Sequence, residues 1–395
     1  MLKNKNFSDN LIMFISVLSF TLFDREGLIK YFYATQMFFY AYYFIFVFKR
    51  KIKWVNRIKF TRIYFLFLFF CLSSVVWSLD QIETFSKVIT IFMIFINTII
   101  TYDFFNKSNT IKPFLFAIIT STYINLLIAL NFIPDSSIYW DQWRFQGTRD
   151  NPNYLASLQL LSISSVIILN KLFSIRFFLL KYIINFSIIA SAYIVFCTGS
   201  KKGIIFCTIL LVYLIIDYLV LTKMNFKKLI LILIIITSLI NLSSYLFDLT
   251  ESDEVLRVAK RFIELTEGSG KSTTQRTSYI VIGLGEFVDN PILGIGIGSL
   301  KSILGTYSHS NFIELLAGIG IVGFLIFYSL YFNIFLVLSR FKNKNKKLFF
   351  YILLLCLLLM DLTQVTYYYK FSILSLLLIG FIIENLDILI KNKTN

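Results

Sequence analysis

Apolar residues run along this chain in stretches long enough to cross a bilayer, which takes about 20 residues at the α-helical rise, and short polar segments separate them. Roughly twelve such runs are present, near residues 10–23, 31–48, 62–79, 86–104, 114–133, 153–170, 180–197, 203–222, 229–247, 313–338, 348–367 and 371–390. They predict an all-α fold, a polytopic transmembrane bundle of about 12 helices. One polar segment is too long for a plain connector. It divides the chain into helices over residues 1–247, a large loop over 248–312 and further helices over 313–395. Helical periodicity returns inside it near residues 255–265 and 279–288, which predicts short helices lying on the membrane face.

Composition strengthens this reading. The 395 residues are 57% hydrophobic and only 15% charged, with a mean hydropathy of +0.75, which excludes an ordinary soluble domain. The net charge of +16 would suggest nucleic acid in a soluble protein. Here the lysines and arginines gather in alternate loops, over residues 49–62, 103–112, 171–181, 223–228, 340–347 and 391–395, while the loops at 80–83, 134–152 and 248–311 are acidic or mixed. The positive-inside rule then puts both termini in the cytoplasm, and the basic balance implies topology and no nucleic-acid partner. Lys3 and Lys5 ahead of the first apolar run suggest a signal peptide, but Asp24-Arg25-Glu26 follows where a small-residue cleavage site would be expected, so an uncleaved first helix is predicted. Cys71, Cys197, Cys207 and Cys356 lie in or at the ends of apolar runs without CxxC spacing, so neither a disulfide nor a metal site is expected from them.

Candidate chemistry concentrates where polar loops meet the membrane. Gly270-Lys271-Ser272-Thr273 imitates the end of a phosphate-binding loop, but Leu265 stands where that motif needs glycine. Gly294, Gly296 and Gly298 lack dinucleotide-fingerprint spacing, and they predict instead a close backbone approach to a helix or to a lipid-linked ligand. The acidic run Glu251, Asp253 and Glu254 fits a solvated loop face better than a cation site. Asn311 followed by Glu314 reads as a capping box opening a helix. In the tight turn from Thr198 to Gly203, Lys201 and Lys202 either meet lipid phosphates or form an anion site at a helix start. Tyr139 and Trp140 suit an interfacial belt. Arg144 and Arg149 suit an anionic ligand, or pairing with Asp141 and Asp150. His309, the single histidine, is either a hydrogen-bonded structural residue or a general base beside Arg276 at the membrane boundary.

Taken together, Arg276, the run Asn290-Pro291-Ile292-Leu293-Gly294-Ile295-Gly296, His309-Ser310-Asn311 through Glu314, and Gly320 to Gly323 resemble the bacterial O-antigen ligase and polymerase family. Gly147 with Asn151-Pro152-Asn153, and Thr198-Gly199-Ser200, agree with it, while Lys201 stands where that family carries arginine. The resemblance implies a membrane glycosyltransferase of GT-C-like architecture, acting without metal or cofactor on the outer face of the bacterial inner membrane. Its donor would be an undecaprenyl-diphosphate-linked oligosaccharide, with membrane lipids and a chain-length regulator as further partners. In such a site Arg276 and Lys201 would stabilise the departing pyrophosphate and His309 would take the acceptor's proton. Lys202, Arg144, Arg149 and Asn153 join Lys201 as substrate-binding candidates. A polymerase of O-antigen or capsular repeat units is expected first, because Arg257, Lys260, Arg261 and Lys271 are interspersed with acidic residues and leave no broad basic surface for a lipid A core. The alternatives are a ligase onto that core and a flippase of lipid-linked glycans. A flippase would call for charges at mid-membrane depth.

Overall fold

Long helices that are apolar on every side can be stable only in lipid or against one another, and both situations occur here. The structure, a computed structural model, describes residues 2–23, 25, 27–50, 60–108, 110–133, 139–141, 144–221, 271–341, 344–386 and 389. The predicted span at 229–247 and the predicted helix near 255–265 lie outside the described residues. The helices are α1 (Leu2–Leu22), α2 (Ile29–Tyr42, continued by a π-turn over Tyr43–Val47), α3 (Phe60–Ser73), α4 (Gln81–Ser108), α5 (Ile111–Ala129), α6 (Pro152–Leu172), α7 (Phe178–Cys197) and α8 (Lys201–Leu221). They continue with α9 (Lys271–Asp289), α10 (Leu300–Leu304), α11 (Asn311–Ser339), α12 (Lys344–Asp361) and α13 (Lys370–Glu384). A two-residue hairpin, β1 (Trp140–Asp141) and β2 (Arg144–Phe145), interrupts this all-α architecture. Among the described residues, six helices are long and apolar enough to cross a membrane, and the protein is a multi-pass membrane protein.

Of the six candidate spans α6 is the most buried. Its start is dictated locally: Pro152 occupies the first helical position, where its missing N–H is harmless, and the Asn151 side chain accepts the Asn153 N–H at 2.8 Å. Such a cap is worth about 1 kcal/mol. Fully 83% of its apolar span is buried, against 33% for α7, so α6 is wrapped by protein while α7 faces lipid. Helices α5, α7 and α8 surround it, α1 packs on α5, and α3 packs on α4 and α11.

The tract from Asn290 to Gly298 finds its partner in α11, which is broken in its first half. Ile319 (φ −130°, ψ 16°) and Gly320 (φ 62°, ψ −169°) leave helical geometry. The backbone groups released there are taken up by the tract. Ile295 N–H donates to Ala317 O at 2.9 Å, Gly296 N–H to Gly318 O at 2.8 Å, and Ile321 N–H to Pro291 O at 2.9 Å. Contact is so close that a Cβ at Gly294 would lie 2.5 Å from Ala317 O, and one at Gly320 would lie 2.2 Å from Ile292 O. Of the two expectations for these glycines, close approach to a helix is the one seen.

The capping box expected at Asn311 and Glu314 does not form. Ser310 is the residue preceding α11 and makes no side-chain cap. Asn311 Oδ1 instead accepts the N–H groups of Thr366 and Tyr367, each at 2.9 Å, and Glu314 turns back to Ser308 N at 2.6 Å. Long-range partners outbid the local pairing, because the chain between α12 and α13 presents unsatisfied N–H groups where Asn311 lies.

Candidate active site

Helices α6, α8 and α11 begin, and α12 ends, around one polar cleft, which Asn151, Asn153, Tyr154, Lys202, Arg276, Tyr307, His309, Thr363 and Gln364 line. Five separate stretches of sequence supply these groups, Arg276 coming from α9.

The turn before α8 sets Lys202. Gly199 takes the left-handed conformation (φ 56°), which costs glycine little. Ser200 Oγ donates to Asn153 Oδ1 at 2.8 Å, and Arg144 holds the same turn through Nε to Thr198 O at 3.0 Å and Nη2 to Asn153 Oδ1 at 3.4 Å. The bare Cα of Gly203 lets α8 start against Ala156 of α6, where an added Cβ would come within 2.7 Å. Lys202 Nζ is thereby carried into the cleft, donating to Gln364 Oε1 at 2.7 Å and more weakly to Thr363 O at 3.4 Å. Lys201 is half-buried in the same turn and is not part of the cleft lining.

His309 is held by strain and by its neighbours. Its φ of 62° is a left-handed conformation that a side chain other than glycine adopts only when the surroundings enforce it. Here Glu314 accepts Ser308 N–H, Ser308 Oγ donates to Ser310 O at 3.0 Å, and Ser310 N–H donates to Ser308 Oγ at 3.3 Å. The Tyr307 ring lies 4.3 Å from the imidazole and the Tyr279 ring 6.5 Å. Arg276 reaches the lining from the second turn of α9, which packs on α11.

Charge in the cleft has one sign. Burial first, then the charges of Arg276 and Lys202, push the His309 imidazole down to about 4, so it is neutral at pH 7. Burial, then Arg276 and Arg144, push Lys202 down to about 7. Burial raises the Tyr307 phenol, with Arg276 opposing. Among the described residues no carboxylate pairs with Arg276 or Lys202. A cleft of donors and cations with an uncharged imidazole is suited to an anionic, oxygen-rich ligand next to a group that loses a proton.

The model of a protein family described as O-antigen ligase matches residues 186–328. That segment, a little over a third of the chain, is what is similar to the O-antigen ligase family. It runs from α7 to the middle of α11 and contains Lys202, Arg276 and His309, and it leaves Asn151, Asn153, Thr363 and Gln364 to the rest of the chain. No curated protein matches the chain.

Of the residues singled out from sequence, the fold brings His309, Arg276, Lys202 and Asn153 to this cleft. Asn153 Oδ1 is engaged with Ser200 and Arg144, so it shapes the turn as well as lining the cleft. Arg144 lies behind the turn. Arg149 is 2% exposed, with Nη2 on Phe20 O at 2.9 Å and its guanidinium 4.4 Å from the Phe371 ring centre, away from the lining. Asp150 meets Arg25 at 3.4 Å. Sequence reasoning missed Gln364, Thr363, Tyr307, Tyr154 and Asn151 as lining residues. Gln364 and Thr363 sit in a short connection between two apolar runs, where neither periodicity nor motif marks them.

Proposed function

We propose that the protein is a bacterial inner-membrane glycosyltransferase that moves a glycan from an undecaprenyl-diphosphate carrier to a hydroxyl of a lipid-linked repeat unit, as an O-antigen or capsular polymerase. The observation that carries this reading is the convergence of Arg276, Lys202 and His309 from three elements on one cleft. In the step envisaged, the acceptor oxygen forms a bond to the anomeric carbon as the bond to the diphosphate breaks. The electron pair leaves with the diphosphate and the hydroxyl proton passes to His309. Arg276 and Lys202 stabilise the departing charge, which supplies the main lowering of the barrier without a metal. In the free cleft His309 is a weak base because it is buried and, secondly, because Arg276 and Lys202 face it. A bound diphosphate offsets those charges and raises its proton affinity, so the base is strongest when the donor is in place. A single displacement with no nucleophilic carboxylate inverts the anomeric centre.

A second reading, ligation of the finished polymer to lipid A core, is favoured by the description of the matching family. Both use the same donor and leaving group, so a deletion strain distinguishes them. Core carrying a single repeat unit, or lone lipid-linked capsular units, is the polymerase outcome. Long polymer on undecaprenyl diphosphate with bare core would instead make the protein a ligase, and lipid-linked units confined to the cytoplasmic leaflet would make it a flippase.

A further inference from the structure

Gln364 lies outside the family-matched segment, in the connection from α12 to α13, and is 4% exposed while lining the cleft. Its two amide atoms have different fates. Lys202 Nζ donates to the Gln364 carbonyl oxygen Oε1 at 2.7 Å. That forces the NH₂ to the other side, and among the described residues Gln364 Nε2 has no hydrogen-bond partner. A buried amide donor left unpaired costs about 1–3 kcal/mol, and such groups in folded proteins are nearly always satisfied. The connection that carries Gln364 is itself fixed by Asn311 Oδ1 on Thr366 and Tyr367 N–H, and by Thr366 Oγ1 on the buried Asp361.

We propose that Gln364 is a substrate-binding residue whose NH₂ donates to a phosphate oxygen of the lipid-linked diphosphate, beside Lys202 and Arg276. The inference rests on the diphosphate reading of the cleft. With its carbonyl oxygen taken by Lys202, Gln364 has its two N–H donors left to offer the ligand. A neutral donor at this position adds a directional contact without a third positive charge near His309.

A merely structural Gln364 would tether Lys202 and do nothing else, and a double-mutant cycle separates the two roles. Full-length protein in lipid nanodiscs is titrated with undecaprenyl diphosphate, with undecaprenol as the phosphate-free control. In the K202M background the tether is gone. The expected result is that K202M/Q364M binds undecaprenyl diphosphate about tenfold more weakly than K202M, as for one hydrogen bond to a charged group, with undecaprenol binding unchanged. Equal affinity of K202M/Q364M and K202M would reduce Gln364 to a tether and overturn the proposal. Wild-type protein that binds undecaprenyl diphosphate no better than undecaprenol would overturn the diphosphate reading itself. The two failures are therefore distinguishable.

Discussion

His309 is the chain's single histidine, so every imidazole signal from protein purified without a histidine tag belongs to it. With ¹³C-labelled histidine, its ring resonance is expected to titrate near pH 4 in the free protein. Burial is the larger cause, and Arg276 and Lys202 add to it by repelling the added proton, so removing a cation raises the pKa. In Arg276→Ala, or on adding undecaprenyl diphosphate, the midpoint should move upward, and an unmoved midpoint would remove the electrostatic coupling on which the base assignment relies. His309→Gln should lower turnover by roughly 10²-fold or more while the protein still accumulates in the membrane. Poor accumulation would favour a structural histidine. For the lysines, Lys202→Met is expected to reduce turnover well beyond Lys201→Met, because only Lys202 lines the cleft. An initial-rate assay giving the reverse order would move the anion site to the other side of the turn. Residue type made these candidates readable from sequence. The choice between Lys201 and Lys202 was not, since successive residues of a helix differ in direction by about 100° and the first turn's orientation depends on α6.

At the scale of elements, the broken α11 and the glycine tract form one unit. Gly320→Ala would place a Cβ 2.2 Å from Ile292 O at φ 62°, and Gly294→Ala would place one 2.5 Å from Ala317 O at φ 67°. Each is expected to lower the melting temperature in detergent by several degrees and to reduce activity, through misplacement of the start of α11. Gly285→Ala is the control. It lies exposed within α9 with no atom within 4 Å of an added Cβ, so the substitution should be neutral or stabilise by up to ~1 kcal/mol. Equal melting temperatures for Gly320→Ala and wild type would show that the break tolerates a side chain. The glycines themselves were conspicuous in the sequence. Their partner was not, because a main-chain pairing between Ile295 and Ala317 leaves no mark on residue type.

For the whole molecule, charge is divided between the two ends of the bundle. Where α2, α4, α6 and α8 finish, three basic residues are paired: Arg50 with Asp9, Lys107 with Asp103 at 2.6 Å, and Lys171 with Asp217 at 2.7 Å. At the other end Arg25 pairs with Asp150 at 3.4 Å and Lys301 with Glu83 at 3.0 Å, while Arg276 and Lys202 line the cleft. The proposed orientation puts the cleft outside, and cysteine labelling in intact cells checks it. Exposed Thr274 on α9, changed to cysteine, should react with an impermeant maleimide directly, and exposed Ser174 between α6 and α7 only after the membrane is permeabilised. Cys71, Cys207 and Cys356 are buried and should contribute little background. The opposite labelling pattern would put the cleft in the cytoplasm, away from the donor proposed for it.

The spacing of apolar runs determined by itself that this chain is helical and crosses a membrane repeatedly, because bilayer thickness and the need to satisfy every backbone group leave few other solutions. It also determined the kinds of chemistry available, since a single histidine, the polar Arg276 and the lysine turn are visible as letters. Only the tertiary structure decided which groups share a cleft. Lys202 enters because Gly203 packs on Ala156, His309 adopts its strained conformation because Glu314 reaches Ser308 rather than forming a local cap, and Gln364 joins because Asn311 anchors a connection more than 50 residues away. The first and last are contacts between residues distant in sequence, set by how helices pack, and the second crosses the start of α11. Apolar periodicity records which segments are buried in lipid or protein, and it carries no information about which polar ends meet.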